Sequence, residues 1–255
     1  MLTDFYLVYA GLIGLAVGSF LNVCIARLPE GESVVSPPSR CPRCAARIHW
    51  YDNIPVLSWL WLRGRCRNCG ERISVVYPVV EAAGAAIWLG SALLYGPGWD
   101  ALQAAVFLSL LLAIAIIDAG HYLIPDVLSL GGLGAGLALS LLPGAPGPLR
   151  ALAGAAVGFG ALFVVGWMGE KALGRPAMGA GDIKMMAMVG AFLGPTGALL
   201  TIFLGALLGS VIFGPISLKS DRLVPFGVFL ALGGAVTLVA GQALIGGYMR
   251  MVGLA

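Results

Sequence analysis

From Phe5 to Ala26 the chain carries no charged residue, and long apolar stretches recur after residue 76. Lipid offers no partner for backbone N–H and C=O groups, so a spanning segment must satisfy its own, most simply as a helix. About 20 apolar residues at 1.5 Å each cross roughly 30 Å of hydrocarbon. Overall the chain is 59% hydrophobic and only 11% charged, against about 25% charged in soluble domains. These values exclude an ordinary soluble enzyme and give no basic face for nucleic acid.

The expected fold is an all-α polytopic membrane protein with about eight transmembrane helices. The spans are placed at Phe5–Ala26, Tyr77–Tyr95, Leu102–Ile117, Leu123–Leu142, Leu149–Gly169, two short ones within Ile183–Leu218 that turn near Gly194-Pro195, and Val224–Gly246. The first is read as retained, because Asp4 is the only charge before it and a cleaved signal needs a basic n-region. Residues 27–76 differ in kind, with eight arginines, four cysteines and repeated turn residues. Three parts are therefore expected: a first helix over 1–26, an extramembrane domain over 27–76, and a seven-helix core over 77–255. Lys and Arg concentrate in cytoplasmic loops. With the N-terminus outside, the 27–76 domain, Lys171, Arg175, Lys184, Lys219 and Arg222 fall inside. Only Arg150 and Arg250 fall outside, leaving 13 of 15 basic residues cytoplasmic and both termini external.

Cys41-Pro42-Arg43-Cys44 and Cys66-Arg67-Asn68-Cys69 are two C-x-x-C pairs separated by 21 residues. Two such pairs complete a tetrahedral tetrathiolate site, and a cytoplasmic location disfavours disulfides. With no open position, a zinc ion there would be structural. A thioredoxin-like redox pair is the other reading, but no βαβ pattern surrounds either motif. Cys24 lies within the first span and reads as a packed small residue, and His49 as a surface or packing residue. Trp50, Tyr51, Trp59 and Trp61 lie between the pairs, and amphipathic rings of this kind settle at the headgroup layer.

Ionisable groups at membrane depth are costly and mark candidate functional sites. Asp118 ends the third expected span and Asp182 begins the sixth, both at the cytoplasmic face, so the topology allows them to meet. Two carboxylates in a confined space can share one proton and activate water against a peptide carbonyl, one as base and the other as acid. Asp182 can also be read as a helix cap, and Asp126, after Pro125, reads as an N-cap rather than a catalyst. Gly179 and Gly181 flank Asp182 without a Cβ and leave room for an approaching substrate backbone.

Several of these motifs occur together in one family. Gly18-Ser19-Phe20-Leu21-Asn22-Val23-Cys24-Ile25-Ala26-Arg27-Leu28-Pro29 resembles its N-terminal signature. The two cysteine pairs bracketing Trp50-Tyr51-Asp52-Asn53-Ile54-Pro55-Val56-Leu57-Ser58-Trp59 resemble its cytoplasmic domain. Asp118, eight residues before Asp126, and Gly179-Ala180-Gly181-Asp182-Ile183-Lys184 resemble its catalytic motifs. The chain is thus similar to bacterial type IV prepilin peptidases, membrane aspartic proteases of the GxGD type. The resemblance implies Asp118 and Asp182 as the catalytic pair, and Cys41, Cys44, Cys66 and Cys69 as ligands of a structural zinc. It further implies prepilin or pseudopilin substrates, cleavage at the cytoplasmic face of the inner membrane, and N-methylation from S-adenosylmethionine. Glu81 is a candidate for methyl transfer, with helix packing as its other reading. Three positions depart from the family pattern: Gly120 for an aspartate, Val76 for an arginine and Val228 for a proline. A peptidase without methyltransferase activity, a cation-coupled transporter and a zinc-ribbon adaptor are the competing functions.

Overall fold

The structure, a computed structural model, describes residues 2–143, 145–175, 177–217 and 224–253. Lys219 and Arg222, both assigned to the cytoplasmic side from sequence, lie outside them. The helices are α1 (Leu2–Arg27), α2 (Leu57–Trp61), α3 (Val76–Tyr95), α4 (Trp99–His121), α5 (Asp126–Leu139), α6 (Pro148–Leu173), α7 (Ala180–Ser217) and α8 (Phe226–Met251). Two isolated bridges are the only β pairing among the described residues.

Six helices, α1, α3, α4, α6, α7 and α8, are long and apolar enough to cross a membrane, rather than the eight expected. The difference has two causes. Helix α5 has only 14 residues, about 21 Å at 1.5 Å each. The two short spans expected within 183–218 form one long element, α7, which is broken at Gly194 (φ 76°, ψ 179°), where the turn was expected. Pro195 follows the break, and the residue before a proline is disfavoured in helical geometry.

The chain forms two compact units, Met1–Ala105 and Val106–Ala255. In the first, α1 and α3 pack through small residues. A Cβ on Gly14 would stand 2.6 Å from the Gly84 carbonyl oxygen, and one on Gly18 would stand 2.7 Å from the Glu81 Cα. Such Gly-x-x-x-Gly seams let helices meet backbone to backbone where lipid removes the hydrophobic drive for association. Asn22 donates its amide to the Tyr77 carbonyl at 3.0 Å and closes the same end of the pair.

The four-cysteine segment, also in the first unit, is built from two matching knuckles. Arg40 bridges to Arg47 and Arg65 to Arg72. Cys41 N–H donates to the Ala46 carbonyl at 2.9 Å, and Cys66 N–H to that of Glu71 at 2.7 Å. Each knuckle turns through a left-handed residue, Ala45 (φ 55°) in one and Gly70 (φ 72°) in the other. An Arg43–Glu71 ion pair ties the knuckles together. Arg67 grips Asp52 through Nε and Nη2, at 2.6 to 3.0 Å, and these bonds hold the Asp52 carboxyl below its usual range. Trp59 donates Nε1–H to the Ile73 carbonyl at 3.2 Å. By contrast Trp50 is 80% and Trp61 84% exposed, with Leu57 and Leu60 beside them.

In the second unit, α6 and α7 form another glycine seam, Gly154 meeting Gly190 backbone to backbone. Thr201 on α7 donates to Thr237 on α8 at 3.2 Å, and Thr237 donates onward to the Gly233 carbonyl at 2.8 Å. Both hydroxyls are thereby satisfied inside an apolar core that includes Phe107, Met185, Met186 and Leu230.

Candidate active site and four-thiol centre

One end of the second unit collects the last turn of α4 and the first turns of α5, α7 and α8. Asp118, on α4, is only 5% exposed. Its Oδ2 accepts the Val228 N–H at 3.1 Å, and the Gly227 amide also faces it. Asp182 is the third residue of α7 and therefore lies inside its first turn rather than at the N-cap position that the sequence allowed. Its carboxylate lies against Gly179. Asp118 and Asp182, 64 residues apart in sequence, are close enough that their charges interact.

Ile124, between α4 and α5, is the wedge under this cluster. A Cβ on Gly181 would come 2.9 Å from the Ile124 Cβ, and one on Gly227 would come 2.8 Å from the Ile124 Cδ1 and 2.9 Å from the Asp118 Oδ2. A Cβ on Gly179 would stand 2.7 Å from the Asp182 Oδ2. Both flanking glycines also serve the fold itself: Gly181 packs against Ile124, and Gly179 makes room for the Asp182 carboxylate.

Asp126 is not the N-cap of α5. Pro125 holds that position, without a side-chain bond, and the Asp126 carboxylate instead receives Lys184 Nζ at 2.7 and 2.8 Å. This pair ties the start of α5 to the first turn of α7, two residues beyond Asp182. Gly120 is exposed, and a Cβ there would meet nothing within 4 Å.

In the first unit, the Sγ atoms of Cys41, Cys44, Cys66 and Cys69 all lie within 4.8 Å of one another. Cys41 and Cys69 are 3.8 Å apart and all four are free thiols. A tetrahedral zinc with bonds of about 2.3 Å sets its sulfurs about 3.8 Å apart, whereas a disulfide needs about 2.05 Å. The donor set therefore fits a tetrathiolate metal and not a disulfide. Asn68 Nδ2 donates to Cys44 Sγ at 3.6 Å and is the main cause lowering that thiol to about 6. Loss of hydration, then the neighbouring sulfurs, push Cys69 up to about 12.

Glu81 lies 8% exposed on α3, and its Oε2 accepts the Val56 N–H at 2.7 Å. Val56 has φ 61°, a conformation β-branched residues rarely adopt, and it is the residue from which α2 starts. The contact supports the packing reading of Glu81, as an anchor of the aromatic segment onto α3. Replacing Glu81 with alanine removes a charge-assisted bond of about 1.5–3 kcal/mol. The expected result is at least ~10-fold faster hydrogen exchange at the Val56 amide, with the metal retained.

The residues least visible beforehand are Ile124, Gly227 and the Val228 N–H. A main-chain donor has no side-chain signature, and the departure from the family pattern at Val228 was the sign that drew attention to this turn.

The chain matches two family profiles: the bacterial peptidase A24 N-terminal domain over residues 12–95, and the type IV leader peptidase family over residues 105–214. Among curated relatives, a prepilin leader peptidase/N-methyltransferase of Xanthomonas campestris pv. campestris is 37% identical, covering 95% of this chain and 94% of the relative. One of the same name from Aeromonas hydrophila is 37% identical over 93% and 92%. That of Myxococcus xanthus is 42% identical over 86% of this chain and 66% of its own length. No solved structure matches. Matched along both halves and at this identity, the chain belongs to the type IV leader peptidase family.

Proposed function

We propose that this protein is a membrane aspartic endopeptidase that removes the leader of type IV prepilins or pseudopilins. It then N-methylates the new terminus from S-adenosylmethionine. The observation that carries the peptidase reading is the meeting of Asp118 and Asp182 at one helix-end cluster, in a chain whose full-length relatives bear both activities in their names. One aspartate takes a proton from water and the other donates to the scissile carbonyl; the roles belong to the pair. The face holding the pair is cytoplasmic, with both chain termini external, on the distribution of Lys and Arg. The multi-pass protein sits in the bacterial inner membrane.

The four thiolates hold zinc, which braces the two knuckles and supplies no open coordination site. The exposed Trp50, Leu57, Leu60 and Trp61 fit a segment lying against the headgroups.

The deciding experiment incubates the purified full chain with a prepilin and S-adenosylmethionine labelled on its methyl group. Cleavage with label on the new N-terminus is expected. Cleavage without label would leave a peptidase alone, and ion flux in proteoliposomes without cleavage would leave a transporter.

A further inference from the structure

The two knuckles repeat one arrangement that metal binding does not require. In the first, the Cys41 N–H donates to the Ala46 carbonyl and the Ile48 N–H to the Ser39 carbonyl, both at 2.9 Å. In the second, the Cys66 N–H donates to the Glu71 carbonyl and the Ile73 N–H to the Gly64 carbonyl, both at 2.7 Å. These bonds flank the Arg40–Arg47 and Arg65–Arg72 bridges and make each a non-hydrogen-bonded pair. At such positions opposed Cα atoms stand about 4.5 Å apart and side chains come closest. Like charges directly opposite one another are destabilising. The chain carries that cost twice.

Arginines with a task inside the domain are paired, Arg43 with Glu71 and Arg67 with Asp52. The four bridge arginines are exposed, and none enters an ion pair among the described residues. Nor does the metal absorb their charge. Residues 27–76 hold eight arginines against four acids, Glu30, Glu32, Asp52 and Glu71, a net +4. Zinc held by four thiolates brings −2 and leaves +2. An anion seated between two facing guanidinium groups turns their repulsion into attraction, and phosphate suits their planar forks. Position in the chain selects the phosphate. Arg47 precedes the exposed Trp50 by three residues, and Arg65 follows the exposed Trp61 by four. Arg72 lies four residues before α3, which is long and apolar enough to cross a membrane.

We propose that Arg40–Arg47 and Arg65–Arg72 are two phosphate clamps, each holding the headgroup of one anionic phospholipid. They would fasten the aromatic segment between them to the membrane surface at both ends. This rests on the reading of that segment as lying against the headgroups.

The test titrates purified full-length protein in mild detergent with phosphatidylglycerol and counts retained lipid by native mass spectrometry. Two tightly held molecules are expected, with phosphatidylcholine held more weakly. Arg65→Lys/Arg72→Lys and Arg40→Lys/Arg47→Lys keep every charge but lose the planar fork. Each should lose one lipid, its affinity falling about 10-fold or more, the equivalent of one hydrogen bond to a charged group. Lysine variants that hold lipid as the parent does would overturn the clamps and leave only the general attraction of a basic domain for an acidic surface. Equal retention of phosphatidylcholine would overturn them too. So would inorganic phosphate held in place of lipid, which points to a soluble anion, or loss of metal in the lysine variants, which points to charge balance at the thiolates. Brominated lipid in nanodiscs separates the two levels of the argument. It should quench Trp50 and Trp61, read as the difference from Trp50→Phe/Trp61→Phe. No quenching refutes the headgroup reading, whereas quenching beside lysine variants that keep both lipids refutes only the clamps.

Discussion

Asp118→Asn and Asp182→Asn should each abolish leader cleavage, by about 10²–10⁴-fold or more, the usual worth of a positioned acid or base. The Asp118 carboxylate accepts the Val228 N–H at the start of α8, and that of Asp182 lies against Gly179 at the start of α7. The loss should therefore be chemical rather than structural. Asparagine is nearly isosteric and its carbonyl oxygen can still accept the amide. The knuckles should keep their metal, and methyl transfer to a processed pilin should persist. The measurement is single-turnover cleavage beside metal content for each variant. Full activity in either would remove that residue from the pair. Asp126→Asn should behave differently, since Asp126 serves a half-exposed Lys184 ion pair, worth about 1 kcal/mol or less.

Cys66→Ser removes the metal and unlocks the four-cysteine segment. Structural zinc in small sites contributes on the order of 10 kcal/mol to folding, and this segment has few buried groups of its own. Metal content should drop from one equivalent to near zero. Residues between the knuckles should become protease-sensitive, and Trp59 emission should shift to the red as its bond to Ile73 is lost. A chelator should do the same to the unmodified protein. The pH dependence follows from the thiols. At neutral pH Cys44, at about 6, is mostly thiolate, while Cys69, at about 12, still holds its proton. Binding must displace that proton, so affinity rises with pH through neutrality, and it falls more steeply below pH 6 where Cys44 also protonates. A pH-independent affinity would contradict the tetrathiolate assignment.

How far the sequence could be read depended on what kind of group made each contact. The apolar runs announced their helices, and the Cys-x-x-Cys spacing announced the thiol cluster. Gly194-Pro195 announced the break in α7. Each signal is local, set by hydrophobicity, ligand chemistry or allowed dihedrals. Asp118 and Asp182 could be paired only by way of topology, because both were expected at the same membrane face. The contacts that were not legible share another property, a partner far along the chain. Asp126 looked like a cap because Lys184, its actual partner, is 58 residues away. Glu81 had two readings, methyl transfer and packing, and the contact that supports packing is with a valine amide 25 residues earlier. The packing of Gly181 on Ile124 was hidden because nothing in its neighbourhood named Ile124.

The two short helices bear on how a hydrolase enclosed by lipid obtains its second substrate. Helix α5 and residues 180–193 of α7 each run only fourteen residues, about 21 Å against roughly 30 Å of hydrocarbon. Both start at the cluster of aspartates. A helix too short for its bilayer thins the lipid around it or leaves depth to polar groups, and either response brings bulk water toward the acids. If Asp118 and Asp182 are the catalytic pair, that thinning would open a path for the water that attacks the peptide bond.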